Sequence, residues 1–297
     1  DNDNDLIYPR SSIKIFQAIP FILSKAPGKF NLNEKKIALS CSSHRGEAYH
    51  IKELNDWVNK ININKNLLRC GIHNPLNKIE SDRFLRSNKK ANQLYNNCAG
   101  KHLAMLSSCI ANRYNTKKYL NFNHKHQSSI RKIFEKFTKT KINKNNYGID
   151  GCSAPQYCFM IKDISTLLNN LIKSYKDEFY YSNETNILIN SVLKYPKFIG
   201  GSDSLDSRIM QITKNKLFCK GGAEGVFLFV HLKKNISGII KVSDGNERAM
   251  PSVIYNLFKK FSILNKDELI FLKKTSSFNI INHANLKIGL IDTRIKS

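Results

Sequence analysis

Tyr8-Pro9-Arg10-Ser11-Ser12-Ile13-Lys14 is the stretch on which the fold reading turns. It sets Ser11 and Lys14 at i and i+3, so on a helix the hydroxyl and the amine share one face. A Ser-x-x-Lys pair is the smallest set that a hydrolase without histidine needs: serine as nucleophile and a desolvated lysine as its base. The spacing alone carries little, because both residues are common and most such pairs begin a solvated helix. Its weight comes from the polar islands further along the chain.

At 297 residues, with 41% hydrophobic and 10% aromatic content, the chain is long enough for one large unit or two interlocked lobes around a sizeable core. No apolar run reaches membrane-spanning length and nothing at the start reads as a signal peptide. The opening Asp1-Asn2-Asp3-Asn4-Asp5 lacks an initiator methionine, which reads as a processed or truncated piece. The formal charge of +25 raises nucleic acid as a partner. Its lysines are spread along the whole chain, however, and mixed with asparagine and isoleucine, as in Asn59-Lys60-Ile61-Asn62-Ile63-Asn64-Lys65. An AT-biased genome encodes that mixture whatever the protein does, and no nucleic-acid motif accompanies it, so a solvated basic surface is favoured. Phosphate attraction would then be non-specific and salt-sensitive. The seven cysteines are scattered, odd in number and never in a Cys-x-x-Cys pair, which favours a reducing, cytoplasmic setting over a disulfide framework.

Four segments carry helical periodicity: Ile51, Leu54, Val58 and Ile61; Leu103, Leu106, Ile110 and Ala111; Ile130, Ile133, Phe134 and Phe137; and Ile164, Leu167, Leu168, Leu171 and Tyr175. Each reads as core packing. Val226–Val230 and Ile239–Val242 flank Lys233-Lys234-Asn235 and predict an antiparallel hairpin, followed by a helix from about Arg248 to Phe261 that tolerates Pro251 near its start. Helices mixed with a hairpin predict an α/β or α+β layered fold rather than a regular parallel series.

Between these elements lie six islands: Ser40–Glu47, Arg69–Pro75, Asn97–His102, Gly148–Pro155, Lys220–Gly225 and Ser243–Asn246. In this order behind Pro-Arg-Ser-Ser-Ile-Lys, they resemble the rhizobial-type L-asparaginases over nearly the whole chain. The resemblance implies a fold similar to the serine β-lactamases and penicillin-binding proteins, an antiparallel sheet with helices packed around it. It implies a single catalytic unit over 1–297, without the strands that usually precede the first motif, and a homodimer. It implies two serine–lysine pairs, Ser11 with Lys14 and Ser43 with Lys220. It also implies a zinc site of Cys98, Lys101 and Cys152, and pocket positions for Arg10 and Asp150.

The implied reaction is hydrolysis of the side-chain amide of L-asparagine to aspartate and ammonia. It requires a nucleophile, an oxyanion acceptor and a proton for the leaving group. A free lysine titrates near ~10.4, so service as a base near neutrality needs a drop of about three units, or about 4 kcal/mol. Two lysines converging on one dry pocket supply that by desolvation and mutual repulsion. Either serine is a candidate nucleophile, Ser43 being preferred with Ser11 and Lys14 as a relay, and backbone N–H groups near Gly221-Gly222 are candidate oxyanion donors. His44, His73 and His102 read as structural hydrogen-bonding residues. Asp244 reads as a turn residue, and Asp203 and Asp206 as helix caps. Arg45 is a departure, standing where small or polar residues are usual in this motif. Two rival readings stay open: a serine amidohydrolase of the same fold with another amide or acyl substrate, and a decayed homologue that binds without catalysis.

Overall fold

The computed structural model describes residues 3–88, 90–275 and 279–295. Its organising element is the stretch around the first serine. Arg10–Ile13 forms a single 3-10 turn and the α-helix begins at Lys14, running to Leu23. The turn is entered by Arg10 at φ +51°, a left-handed conformation costly to a residue with a Cβ. It is closed by Ser12, whose N–H and Oγ both donate to the Pro9 carbonyl, at 3.2 and 2.7 Å. The Lys14–Leu23 helix is buried on nearly all sides, with Ile15, Phe16, Ala18, Ile19 and Phe21 in the core and Lys14 and Gln17 its polar residues, as expected of a helix at the centre of a core. It packs against the helices Ala99–Ala111, Lys125–Thr138 and Ser182–Lys194.

The four predicted helical stripes fall on Ala48–Lys60, Ala99–Ala111, Lys125–Thr138 and Ile161–Tyr175. The first, second and last are partly buried where the sequence reading expected core, since Ile51, Val58, Ile110, Ala111 and Tyr175 flank the main cluster. Gly100 matters for the site. A Cβ there would stand 2.1 Å from the Leu39 carbonyl oxygen, so only glycine lets this helix approach the Glu34–Ser40 helix backbone to backbone. That contact sets the end of one helix, with Ser42 and Ser43 just beyond it, beside the start of another, where Cys98 and Lys101 lie.

The predicted hairpin is present as Val226–His231 and Ile236–Lys241, and Leu217–Gly222 joins it to make a three-stranded antiparallel sheet. Val226–His231 is the central strand and is buried throughout. The edge strand Leu217–Gly222 ends against the 3-10 turn, where a Cβ on Gly222 would meet the Pro9 oxygen at 2.7 Å. This close approach brings Lys220 to the side of Ser11. The following helix starts later than predicted, at Met250, after a 3-10 turn over Glu247–Ala249, with Pro251 in its first turn. The other sheets are two-stranded: Leu6–Ile7 with Phe159–Met160, Tyr147–Ile149 with Pro155–Tyr157, and Asn279–Ile281 with Lys287–Leu290. The class is therefore mixed helix with small antiparallel sheets. Among the described residues no helix is long and apolar enough to cross a membrane.

Candidate active site

Lys14 is 1% exposed, and its three N–H donors all have acceptors: the Ser42 carbonyl, Ser43 Oγ at 3.0 Å and Cys98 Sγ at 3.2 Å. The amine thus turns across to the second serine rather than to Ser11 on its own turn. Ser43 is fixed by its N–H, which donates to the Ile199 carbonyl at 2.7 Å. Among the described residues no carboxylate contacts the Lys14 amine. Its pKa is lowered by burial, helped by repulsion from Lys101 and Lys220 and opposed by Cys98.

Behind Lys14 the two cysteines converge. Cys98 is placed by Asn96, whose Oδ1 accepts the Cys98 N–H at 2.9 Å, and by His73, whose Nε2 accepts the Asn97 N–H at 3.0 Å. Asp150 and Cys152 sit in the turn joining Tyr147–Ile149 to Pro155–Tyr157, which closes with the Asp150 N–H on the Ala154 carbonyl at 2.9 Å. Cys98 Sγ, Cys152 Sγ and an Asp150 carboxylate oxygen lie within 4.8 Å of one another, and Lys101 Nζ donates to Cys152 Sγ at 3.1 Å. The hydrogen bond shared with Cys98 lowers the Cys152 thiol to about 5 despite burial, with Lys101 adding to the effect. Cys98 is raised to about 12 by the same pairing and by burial. Burial opposes charge on Lys101, yet the pull of Cys152, Cys98 and Asp150 raises its pKa. Two sulfurs, an amine and a carboxylate oxygen form a donor set that suits a borderline-soft divalent ion such as zinc, although lysine is an unusual ligand.

In front of Lys14 opens a cavity of about 430 Å³. Ser11, Ser43, Lys220, Gly221 and Gly222 line it, whereas Arg10, Lys14, Cys98, Lys101, Asp150 and Cys152 do not. Arg10 is instead bound to Asp150 at 2.8 Å and to Glu224, which ties the first turn to the Asp150 turn and to the sheet. Burial and these carboxylates act in opposite directions on Arg10, and the carboxylates win, raising its pKa.

Asp206 and Asp203 depart from their reading as caps. The Leu205–Ile212 helix is capped by Ser204, whose Oγ accepts the Ser207 N–H at 3.4 Å. Asp206 lies two residues beyond that cap. Its Oδ2 takes Lys220 Nζ at 3.3 Å and the Gly221 N–H at 3.1 Å in a fully buried pair. Burial opposes its ionisation, but Lys220, the Ser204 hydroxyl and the N–H groups of Gly221 and Ser207, the last 2.8 Å from Oδ1, hold it below the usual carboxylate range. Asp203 pairs with Arg45 at the cavity rim, at 3.0 Å. Sequence reasoning had one available signal for Asp206, an acid directly after a Ser-Leu helix start, and that signal equally marks a solvated first turn. Glu224, the second partner of Arg10, was likewise missed.

The histidines carry structural hydrogen bonds. His44 Nδ1 accepts the Gly46 N–H at 3.1 Å and His102 Nδ1 pairs with Tyr119 OH at 2.6 Å. Burial lowers His102 to about 3, and lowers His44 well below its ordinary value with help from His50. Asp244 Oδ1 accepts the Asn246 N–H at 2.9 Å, as a turn residue should.

A buried amine on a serine at a cavity wall, backed by a sulfur-rich cluster, is an arrangement able to carry acyl transfer. The family model described as L-asparaginase II matches residues 1–293, and the chain belongs to that family of asparaginase-type amidohydrolases. No curated protein matches the chain.

Proposed function

We propose that the protein hydrolyses the side-chain amide of L-asparagine, with Ser43 as nucleophile and Lys14 as its base. The observation that carries this reading is the 3.0 Å contact between Lys14 Nζ and Ser43 Oγ, made from behind a cavity wall in a chain of this family. As a neutral amine, Lys14 keeps two N–H donors for the Ser42 carbonyl and Cys98 and turns its lone pair to the Ser43 hydroxyl. Ser43 Oγ attacks the amide carbon as its proton passes to Lys14. The tetrahedral oxyanion then collapses to an aspartyl ester, and Lys14 returns the proton to the departing ammonia. Water, activated by the same amine, cleaves the ester.

The Gly221 N–H is already donated to Asp206, so the oxyanion falls to Lys220. Its Nζ uses two donors on Asp206 and the Gly221 carbonyl and keeps a third for the cavity. Ser11 lines the same wall and relays protons beside it.

Cys98, Cys152 and Lys101, with Asp150 alongside, are the residues that would hold zinc. Bound there, the ion supplies fixed positive charge behind Lys14 and favours its neutral form. Both cysteines must be reduced to serve, which fits a cytoplasmic setting and seven cysteines that are all free. The three-stranded antiparallel sheet, packed against the helices Ile161–Tyr175 and Leu205–Ile212, supports the β-lactamase-like fold, and a single catalytic unit over 1–297 acting as a homodimer completes the proposal.

The test is ammonia release from L-asparagine by the wild type, Lys14→Ala and Ser43→Ala. Activity present in the wild type and lost in both variants is expected. Activity retained in Ser43→Ala overturns the assignment of the nucleophile. Metal content measured on wild type and Cys152→Ser tests the zinc reading, with stoichiometric zinc expected only in the wild type.

A further inference from the structure

The cavity rim carries a second ion pair that the chemistry above does not use. Arg45 and Asp203 both line the cavity and both are part-exposed, at 38% and 36%, unlike the buried Lys220–Asp206 pair on the same wall. We infer that Arg45 and Asp203 are the clamp for the α-carboxylate and α-ammonium of an amino-acid substrate. The inference deepens the proposed function, because it rests on the same cavity being an amide-hydrolysing site.

The rim is built to hold these two side chains still. The Arg45 carbonyl accepts the N–H groups of Leu76 and Asn77, each at 3.0 Å, which pins the backbone beneath the guanidinium. The chain crosses the arginine stem at Gly201, at φ +100°, where a Cβ would stand 3.3 Å from Arg45 Cβ and 2.6 Å from Glu47 Oε1. A side chain there would be both strained and in collision. Beyond it, the nearly buried Glu47 carboxylate takes the Ser202 N–H and the Ser202 hydroxyl, each at 2.8 Å, and the Tyr49 hydroxyl at 3.0 Å. Asp203 is the next residue on that stapled loop.

Its two oxygens are unequal. Oδ2 accepts from Arg45, whereas Oδ1 is buried and has no partner among the described residues. Asp203 borders the cavity, and a small rotation of its side chain as substrate enters would turn the orphaned oxygen to an ammonium, the donor that matches its charge. Arg45 in turn offers a planar fork of donors, of which one nitrogen meets Asp203, and a carboxylate fits that fork two bonds at a time. A zwitterionic head seated on the pair keeps every charge matched.

Spacing sets the reach. Arg45 follows Ser43 by two residues, so their α-carbons are at most about 7 Å apart. In asparagine only the α- and β-carbons separate the carboxylate carbon from the amide carbon. With the head pinned on Arg45, the added methylene of glutamine carries its amide carbon past Ser43.

The test compares L-asparagine with 3-aminopropanamide, which lacks the α-carboxylate, and with succinamate, which lacks the α-amino group. KM and kcat are measured for the wild type, Arg45→Ala, Arg45→Lys and Asp203→Asn. Arg45→Ala is expected to raise KM for asparagine about 10- to 100-fold, the worth of a hydrogen-bonded charge, with kcat within about threefold. It leaves KM for 3-aminopropanamide unchanged. Arg45→Lys falls between, and Asp203→Asn removes the preference for asparagine over succinamate. Equal effects of Arg45→Ala on all three amides, or none, make the pair a solvated rim contact and overturn the clamp. A wild type that hydrolyses none of the amides overturns the proposed function instead. Calorimetric titration of L-aspartate then decides the clamp alone: binding lost in Arg45→Ala sustains it, and no binding by the wild type sinks it.

Discussion

Lys36 and Lys14 are buried to nearly the same degree, at 0% and 1% exposure, yet their surroundings have opposite consequences. Lys36 Nζ lies 2.6 Å from Glu53 and 2.7 Å from Asp56, two carboxylates that reach back toward solvent between neighbouring helices. Its charge is neutralised where it stands, and nothing is left over for chemistry. Lys14 faces a carbonyl, a hydroxyl and a thiol, with Lys101 and Lys220 near enough to repel it. Lys220 is intermediate: buried like the others, it is held by Asp206 yet borders the cavity. Burial alone therefore does not mark a working lysine. On the proposed mechanism the mark is a setting free of carboxylates among the described residues, because it leaves desolvation free to favour the neutral amine.

The largest effect that tests this contrast is on turnover. Lys14→Ala should lower kcat/KM for asparagine by about a thousandfold or more, equivalent to about 4 kcal/mol of transition-state stabilisation. Lys14→Met should at the same time leave stability within about 1 kcal/mol of wild type, since it replaces a desolvated amine that no anion stabilises with an apolar chain of similar volume. Ammonia release and urea denaturation read the two numbers separately. A Lys14→Met protein destabilised as strongly as it is inactivated would make Lys14 structural like Lys36.

Next in size is the intermediate pair. Asp206→Asn leaves Lys220 buried without its anion and should cost about 3–5 kcal/mol in urea denaturation. Adding Lys220→Met should recover a large part of that loss, though not activity. A single Asp206→Asn change costing under about 1 kcal/mol would show that Lys220 is not held by this carboxylate.

How far the site was legible follows from the same physics. Ser11, Ser43, Lys220 and the paired glycines stand in short motifs, and the family resemblance those motifs carry named residues that line one cavity. The four helical stripes and the hairpin were legible because apolar periodicity directly records which face is buried. The pairing of Lys14 with Ser43 was not legible. It depends on a 3-10 turn with Arg10 left-handed and on the backbone contact at Gly100, and neither leaves a mark in spacing. The partners Asp206, Asp203 and Glu224 were hidden for a related reason. An acid beside a helix start or turn looks the same whether it faces water or a buried lysine, and only the tertiary fold decides. The difference between Lys14 and Lys36 was invisible for the same reason: both are lysines in apolar helical surroundings.

The smallest effects concern the structural lysine itself. Lys36→Met should cost about 1–2 kcal/mol at neutral pH and leave asparagine turnover unchanged, because the abandoned Glu53 and Asp56 are part-exposed and water takes over much of their solvation. The acid limb of stability then separates this pair from other titrations. Burial pushes Glu53 up, but the hydrogen bonds from Lys36 and Asn33 and the charges of Lys36 and Lys35 together lower its folded pKa below the ordinary 4.5. A hydrogen bond from Lys36 lowers Asp56 below 3.8. The unfolded chain therefore takes up these protons first. The pair's contribution is complete above about pH 4.5 and is lost as pH falls through the folded values. Buried neutral histidines titrate earlier. Burial lowers His126 to about 3 and His50 to about 4 from an ordinary 6.5, so their loss of stability begins near pH 6.5 in any variant. The gap between wild type and Lys36→Met cancels that common slope. It should stay constant from pH 7 to about 5 and narrow by up to about 1 kcal/mol below pH 4.5, as measured by urea denaturation across the range. A gap that narrows already between pH 7 and 5 would mean that Lys36 is coupled to the histidines rather than to its carboxylates, and the contrast with Lys14 would have to be drawn on other grounds.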